Sequence, residues 1–233
     1  MARRKSIQKF NSSLNLVQAS SQRVLFGDIL NFTETDSFSL SCTFNINQYT
    51  NAASLWDKLG TGGYRLVFNT NGLLLVQLRQ ADNTIQTITG PAPTLNVWHE
   101  VVLTFDQSTV KIYLDGALVV STAFTLTDIG VVTNQLTLGY SNNNGVYLDG
   151  NISRSCVWST DLSASQVADL YYDGVIPSTN LEIHCDFSDG SGTTLTDQSG
   201  NGYNGTITAG TAWSSTFVPG KTRSEISVAR TNI

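Results

Sequence analysis

Residues 96–116 read N-V-W-H-E-V-V-L-T-F-D-Q-S-T-V-K-I-Y-L-D-G. In an extended chain Val97, His99, Val101 and Leu103 fall on one face, and Trp98, Val102 and Thr104 fall on the other. Asp106-Gln107-Ser108 forms a short polar turn, and the alternation resumes at Val110, Ile112 and Leu114. Asp115-Gly116 then turns the chain into Ala117-Leu118-Val119-Val120. Asp-Gly between two period-two apolar runs signals a two-residue hairpin, because both turn residues need a positive φ. The stretch predicts an antiparallel β protein.

Other segments agree. Phe38, Leu40, Cys42, Phe44 and Ile46 place five apolar side chains on one face, with Ser39, Ser41, Thr43 and Asn45 on the other. Leu14, Leu16, Val24 and Phe26 alternate inward in the same way. Tyr64–Asn69 and Leu73–Leu78 bracket an Asn71-Gly72 hairpin signal, and Thr84–Thr89, Thr133–Leu138 and Val146–Leu148 read as further strands. One helix is expected. Ser163 and Gln166 have capping-box spacing, Val167, Leu170 and Tyr171 give a short apolar stripe, and Gly174 with Pro177 marks the end. Many short strands with a single late helix indicate a sandwich or jelly roll rather than a parallel sheet.

The bulk numbers fit one large β domain. A chain of 233 residues can bury a substantial core without disulfides. Only 13% of residues are charged, too few for a typical helical protein. The net charge of −5 is unevenly spread. Arg3, Arg4, Lys5 and Lys9 crowd the start, and Lys221, Arg223 and Arg230 lie near the end. Residues 10–220 hold every acid but Glu225, against Arg23, Lys58, Arg65, Arg79, Lys111 and Arg154. Such a body repels phosphates, so no nucleic-acid partner is expected. The basic ends read either as solvated tails or as grips on an acidic partner or a neighbouring subunit.

Cys42, Cys156 and Cys185 lack metal-ligand spacing and read as buried free thiols. No apolar run follows the basic start, so a secretory signal is not expected, and no stretch is long enough to span a membrane. The expected place of synthesis is the cytoplasm, and no cofactor, metal or membrane partner is expected.

Four pieces of the chain resemble the concanavalin A-like, laminin-G-like sandwich modules. They are S-L-N-L…F-S-L-S-C-T-F, W-H-E-V-V-L-T-F-D…V-K-I-Y-L-D-G, L-T-L-G-Y…V-W-S-T-D-L-S-A-S-Q-V-A-D-L-Y, and D-G-S-G-T-T-L-T-D-Q-S-G-N-G-Y-N-G-T. The resemblance implies an all-β antiparallel sandwich of the concanavalin A-like jelly-roll type, and a binding module. The D-x-S-G-N-G phrase at Asp197 to Gly202 comes last here, whereas it comes first in the family pattern. The segment after Pro177 therefore either completes the sandwich in permuted order or begins an add-on. Ser153 stands where the family often has an acid after the G-x-I phrase, which argues against a carried-over calcium site. The organisation expected is a basic arm at 1–12, the sandwich at 13–176, a strand and Gly-rich loop at 177–212, and a tail at 213–233.

Two kinds of chemistry can be weighed. Period two puts Glu182, His184 and Asp186 on one strand face. Paired carboxylates hydrolyse glycosides, but a solvent-facing edge strand explains the same residues, and the E-x-D-x-x-E word of the family's glucanases is missing. No catalytic residue is assigned. Sugar binding needs aromatic faces beside amides or carboxylates. The loop candidates are Trp56, Asp57 and Tyr64, and Tyr140, Asn142, Asn143, Asn144 and Tyr147, whereas Trp98 and Trp158 read as strand residues filling the core.

The basic start and the ending R-S-E-I-S-V-A-R-T-N-I resemble tailed-phage structural proteins. This implies a non-enzymatic virion surface protein: a capsid decoration, fibre or tail-associated subunit, homo-oligomeric, with host glycans as a further partner. Arg3, Arg4, Lys5, Lys221, Arg223 and Arg230 would anchor it to capsid or tail proteins of the same virion. The alternatives are a free-standing lectin and a glycoside hydrolase.

Overall fold

The computed structural model describes residues 12–49, 53–210 and 213–215. The first strands are β1 (Ser13–Leu16), β2 (Arg23–Leu25), β3 (Phe38–Ile46), β4 (Ser54–Leu59), β5 (Gly63–Phe68), β6 (Leu74–Arg79) and β7 (Ile85–Thr89). Then come β8 (His99–Phe105), β9 (Thr109–Leu114), β10 (Ala117–Ala123), β11 (Thr137–Leu138), β12 (Tyr140–Ser141), β13 (Val146–Tyr147) and β14 (Gly150–Trp158). The helix α1 (Ala164–Asp173) is followed by β15 (Leu181–Cys185), β16 (Thr194–Leu195), β17 (Gly205–Thr208) and β18 (Trp213–Ser214).

Among the described residues these strands make two large antiparallel sheets that pack face to face, and a separate β12–β13 hairpin. One runs β10-β9-β8-β3-β14-β1-β18, with β15 also on β14, and the other runs β16-β17-β2-β11-β4-β5-β6-β7. The β8–β9–β10 meander is the one expected from residues 96–116. Asp115 (φ 53°) and Gly116 (φ 77°) both take the left-handed conformation of the turn. Strand β8 starts at His99, so Trp98 lies just outside it and is half-buried, while Trp158 is fully buried as expected.

The core lies between the sheets. The Phe38–Ile46 face of β3 is fully buried and packs against Trp56, Tyr64, Leu66 and Phe68 of the opposite sheet. Phe38 stacks on Phe32 at 4.8 Å and meets Tyr64 at 5.0 Å and Phe105 at 5.3 Å. Trp56 Nε1 donates across the sandwich to the Ser41 carbonyl at 2.8 Å, and Tyr64 Oη donates to the Leu30 carbonyl at 2.7 Å. The indole and phenol thus bury their rings without orphaning their polar ends.

The outer face of β3 is buried too, against the alternation expected of a half-solvated sheet. Ser39, Ser41 and Thr43 are covered, because α1 packs over this side. Val167 and Leu170 of the helix meet Val102, Tyr113, Cys156 and Trp158. The capping box forms as expected: the Ser163 hydroxyl accepts from Gln166 N–H, and Gln166 Oε1 accepts from Ser163 N–H. Gly174 closes the helix in the left-handed conformation.

Beneath α1 lies a buried ion pair, Arg154 to Glu100, both less than 5% exposed. Arg154 also donates to the Leu170 carbonyl at 3.1 Å, which ties the helix to the sheet. Burial pushes the Glu100 carboxyl up, and the guanidinium pulls it back. The three cysteines are free and buried, and desolvation raises the Cys42 and Cys156 thiols to about 12. Among the described residues no helix is long and apolar enough to cross a membrane.

The segment after Pro177 completes both sheets in permuted order. Strand β15 pairs with β14 and β17 pairs with β2, while β18, in the range expected to be tail, pairs with β1. The free edge of β15 is capped by the D-Q-S-G-N phrase. Asp197 Oδ1 accepts from His184 N–H, Gln198 N–H donates to the His184 carbonyl, and Ser199 and Asn201 donate to the Glu182 carbonyl. A covered edge is protected from pairing with another chain.

Arg154→Met is expected to cost about 3–5 kcal/mol of stability, because it strands Glu100 in the low-dielectric layer. Arg154→Met combined with Glu100→Leu should recover most of that loss. Urea denaturation of the two variants checks this, and equal losses would contradict the buried-pair account.

Candidate functional site

The two groups of aromatic candidates separate in the structure. Trp56 and Asp57 lie on β4 and Tyr64 on β5; all three are at most 1% exposed. They are not loop residues, and no sugar can reach them. The rings fill the core. The Asp57 carboxylate belongs to a polar row on the outer face of the sheet, where Arg65 Nη1 lies 3.6 Å away and Ser54 Oγ and Leu59 N–H donate to it at 2.9 Å. The row continues from Arg65 Nε to Gln77 Oε1 at 2.7 Å and from Gln77 Nε2 to Thr87 Oγ1 at 3.0 Å. Burial pushes the Asp57 carboxyl up and holds the Arg65 guanidinium down.

What covers the Asp57–Arg65 end of this row is the β12–β13 hairpin, which carries the second group. At Gly139 (φ 78°) the chain leaves β11 for the hairpin; a Cβ there would stand 2.3 Å from Leu16 Cδ1, so only glycine fits. Asn142 clamps the hairpin down. Its Nδ2 donates to the Gln135 carbonyl at 2.9 Å, to the Asp57 carbonyl at 3.1 Å and to Asp57 Oδ1 at 3.3 Å. Ser141 Oγ accepts from Arg65 Nη1 at 2.9 Å. Asn142 is thus a clamp, while Asn143 and Asn144 sit exposed at the tip.

Tyr140 and Tyr147 pair across the hairpin at 4.7 Å between ring centroids and are half-buried. Arg23, which projects outward from β2 because Val24 points into the core, reaches them. Its guanidinium carbon lies 4.6 Å from the Tyr140 centroid and 5.5 Å from that of Tyr147, and its Nη1 donates to Tyr147 Oη at 2.7 Å. Beside this stack runs an open groove of about 340 Å³, lined by Arg23, Leu25, Thr133, Asn134, Gln135, Tyr140 and Asn142. Small-molecule sites span roughly 300–1,000 Å³, so a one- or two-ring ligand is of the right size. Residue 134 is tied to β4: Lys58 Nζ donates to the Asn134 carbonyl at 2.7 Å and Asn134 Nδ2 to the Leu59 carbonyl at 2.8 Å. Thr133 and Gln135 remain exposed.

Sequence reading passed over Arg23. The outward register of β2 was visible beside Val24, but its contact with Tyr147, 124 positions later, was not.

The Glu182, His184 and Asp186 face exists, but its side chains have local roles. Glu182 Oε1 accepts from Ser159 Oγ at 2.6 Å and Asp186 Oδ1 accepts from Ser188 N–H at 2.9 Å. Burial lowers the His184 imidazole, and its Nε2 is enclosed without a partner among the described residues. The edge is capped rather than solvent-facing. His99, in the W-H-x-V phrase, accepts from Thr94 N–H at Nε2 and bonds Asp115 through Nδ1 at 2.8 Å, a structural tie between loop and hairpin. Among the described residues no group of three or more His, Cys, Asp or Glu is placed to hold a metal ion. The anchoring residues Arg3, Arg4, Lys5, Lys221, Arg223 and Arg230 lie outside the described residues.

Among solved structures, the fold is similar to that of a "putative carbohydrate binding protein" from Bacteroides ovatus ATCC 8483. The TM-score is 0.70, with 16% identity over 89% of this chain and 60% of that one. It is also similar to the binding domain of Paraclostridial Mosquitocidal Protein 1, with a TM-score of 0.50 and 16% identity over 62% of this chain and 38% of that one. The chain therefore spans less than two thirds of either protein, and at such identities the likeness is one of fold. No curated protein matches it in sequence. The family model of the concanavalin A-like lectin/glucanases superfamily matches residues 18–168, from the 3-10 turn before β2 into α1. The chain belongs to that superfamily.

Proposed function

We propose that this chain is a non-catalytic glycan-binding module that uses the groove beside Arg23, Tyr140 and Tyr147. The observation that carries the reading is the Arg23–Tyr140–Tyr147 stack at the rim of a groove walled by amides and hydroxyls. Sugars need both halves of this arrangement: ring faces for their C–H surfaces and fixed polar groups for their hydroxyls. Fold likeness to a protein described as carbohydrate binding supports the same reading. Fold alone does not assign function, so the groove carries the argument.

The placement proposed for the module is the surface of a phage virion, as a decoration, fibre or tail-associated subunit seated among capsid or tail proteins and copies of itself. The support is the basic composition of both ends, together with the pairing of Ser13 with Ser214. That pairing sets the first and last described strands side by side, and basic ends can grip an acidic surface. A free-standing lectin would share the groove and dispense with the ends.

On a glycan array the full chain is expected to bind a restricted set of sugars, and Tyr140→Ala, which removes the aromatic ring lining the groove, to lose at least about tenfold in affinity, with its melting temperature read alongside. Binding that survives in a folded Tyr140→Ala would move the site elsewhere. Replacing Arg3, Arg4 and Lys5 by Ala should abolish incorporation into particles and leave sugar binding intact; unchanged incorporation contradicts the anchoring role.

A further inference from the structure

We infer that the ligand of this groove is an acidic sugar, whose carboxylate or sulfate oxygens pair with Arg23; this rests on the glycan-binding reading above. Arg23 is the cation of the groove, and no carboxylate lines it. Of the other cations in the body, Lys58 has Asp28 at hand, Arg65 has Asp57, Lys111 has Asp106 and Arg154 has Glu100, while Arg79 donates to the Gly60 carbonyl. Arg23 has no ion pair among the described residues. Its Nη1 is spent on Tyr147 Oη, and its Nε is enclosed with no hydrogen-bond partner among them. The guanidinium is held against the Tyr140 face instead. A stack of this kind orients the planar fork without neutralising it, which leaves its charge for a second partner.

The contrast with the rest of the body strengthens the point. Residues 10–220 carry far more acids than bases, yet besides Arg23 the polar groups around this groove are hydroxyls and amides, those of Thr133, Tyr140, Asn134, Gln135 and Asn142. Asn142 Nδ2 is used within the protein, and Asn134 is bonded through its backbone carbonyl and its Nδ2. Thr133 and Gln135 are the exposed groups left for sugar hydroxyls. A charge-assisted contact from the guanidinium Nη2 to the oxyanion supplies the strong, directional bond of the site, and the neutral groups add shape. An ordinary neutral sugar would leave the guanidinium without its counter-charge.

The test is calorimetric titration of the full chain with three acidic probes and their neutral counterparts. The probes are sialyllactose against lactose, digalacturonate against its methyl ester, and a sulfated galactose disaccharide against the unsulfated one. At least one acidic probe is expected to bind about tenfold or more tighter than its neutral partner, and which of the three does so names the source of the oxyanion. Arg23→Gln should erase that difference. Because Arg23 also braces Tyr147, its melting temperature is read beside the affinity. The ester comparison on the unaltered chain stands by itself if the variant fails to fold. Equal affinities for acid and ester, or a preference that persists in a folded Arg23→Gln, would overturn the inference and leave the glycan reading standing. Failure of every sugar, acidic or neutral, would overturn both.

Discussion

The structure depends on one constraint: each sheet has an apolar face that can be buried only against the other. The inner row of β3 and the Trp56, Tyr64, Leu66 and Phe68 row of the opposite sheet meet this need together, and the cross-sheet bond from Trp56 to Ser41 fixes their register. Burying one Phe or Leu side chain contributes about 1.5–3 kcal/mol, so the interdigitated rows supply the main driving force for the fold. The outer faces then become available for specialised covers. Helix α1 roofs one sheet through Val167, Leu170 and the Arg154 bond to Leu170, and the β12–β13 hairpin roofs the other through Asn142 and Ser141. The hairpin roof stops short at β2, and the groove is what it leaves open.

Much of the fold was legible in the sequence, because its signals are local. The five-residue alternation of β3, the Asp115-Gly116 turn and the Ser163–Gln166 box each report on a few neighbouring residues, and each formed as expected. The misreading of Trp56, Asp57 and Tyr64 has a physical cause. Strands β4 and β5 are buried on both faces, so they lack the alternation that marks a half-solvated strand, and the charges of Asp57, Lys58 and Arg65 imitate a loop. Those charges are buried because each has a partner, Asp28 for Lys58 and Asp57 for Arg65, and such pairing is invisible along the chain.

The site was half legible. Tyr140 and Tyr147 flank an asparagine-rich turn, a local pattern, and the structure brings their rings together. Which asparagine clamps the hairpin and which are exposed depends on Asp57 and Gln135, far away in sequence. The role of Arg23 depends on β2 lying beside β11, and β17 on the other flank of β2 comes from the C-terminal segment whose place the sequence left open. The D-Q-S-G-N phrase shows the same division. Its turn-forming composition was plain, but its use as a cap on the edge of β15 required the fold.

The central claim is that this superfamily member presents its ligand site at the uncovered strip of β2, between the hairpin and residues 133–135. Amide chemical-shift mapping of the isotopically labelled chain during titration with a bound sugar tests it most directly. The account predicts perturbations concentrated at Arg23, Leu25, Thr133, Gln135, Tyr140 and Tyr147, with the β15 face silent. Perturbations centred on Glu182, His184 and Asp186, or on the β7 and β10 edges, would contradict it.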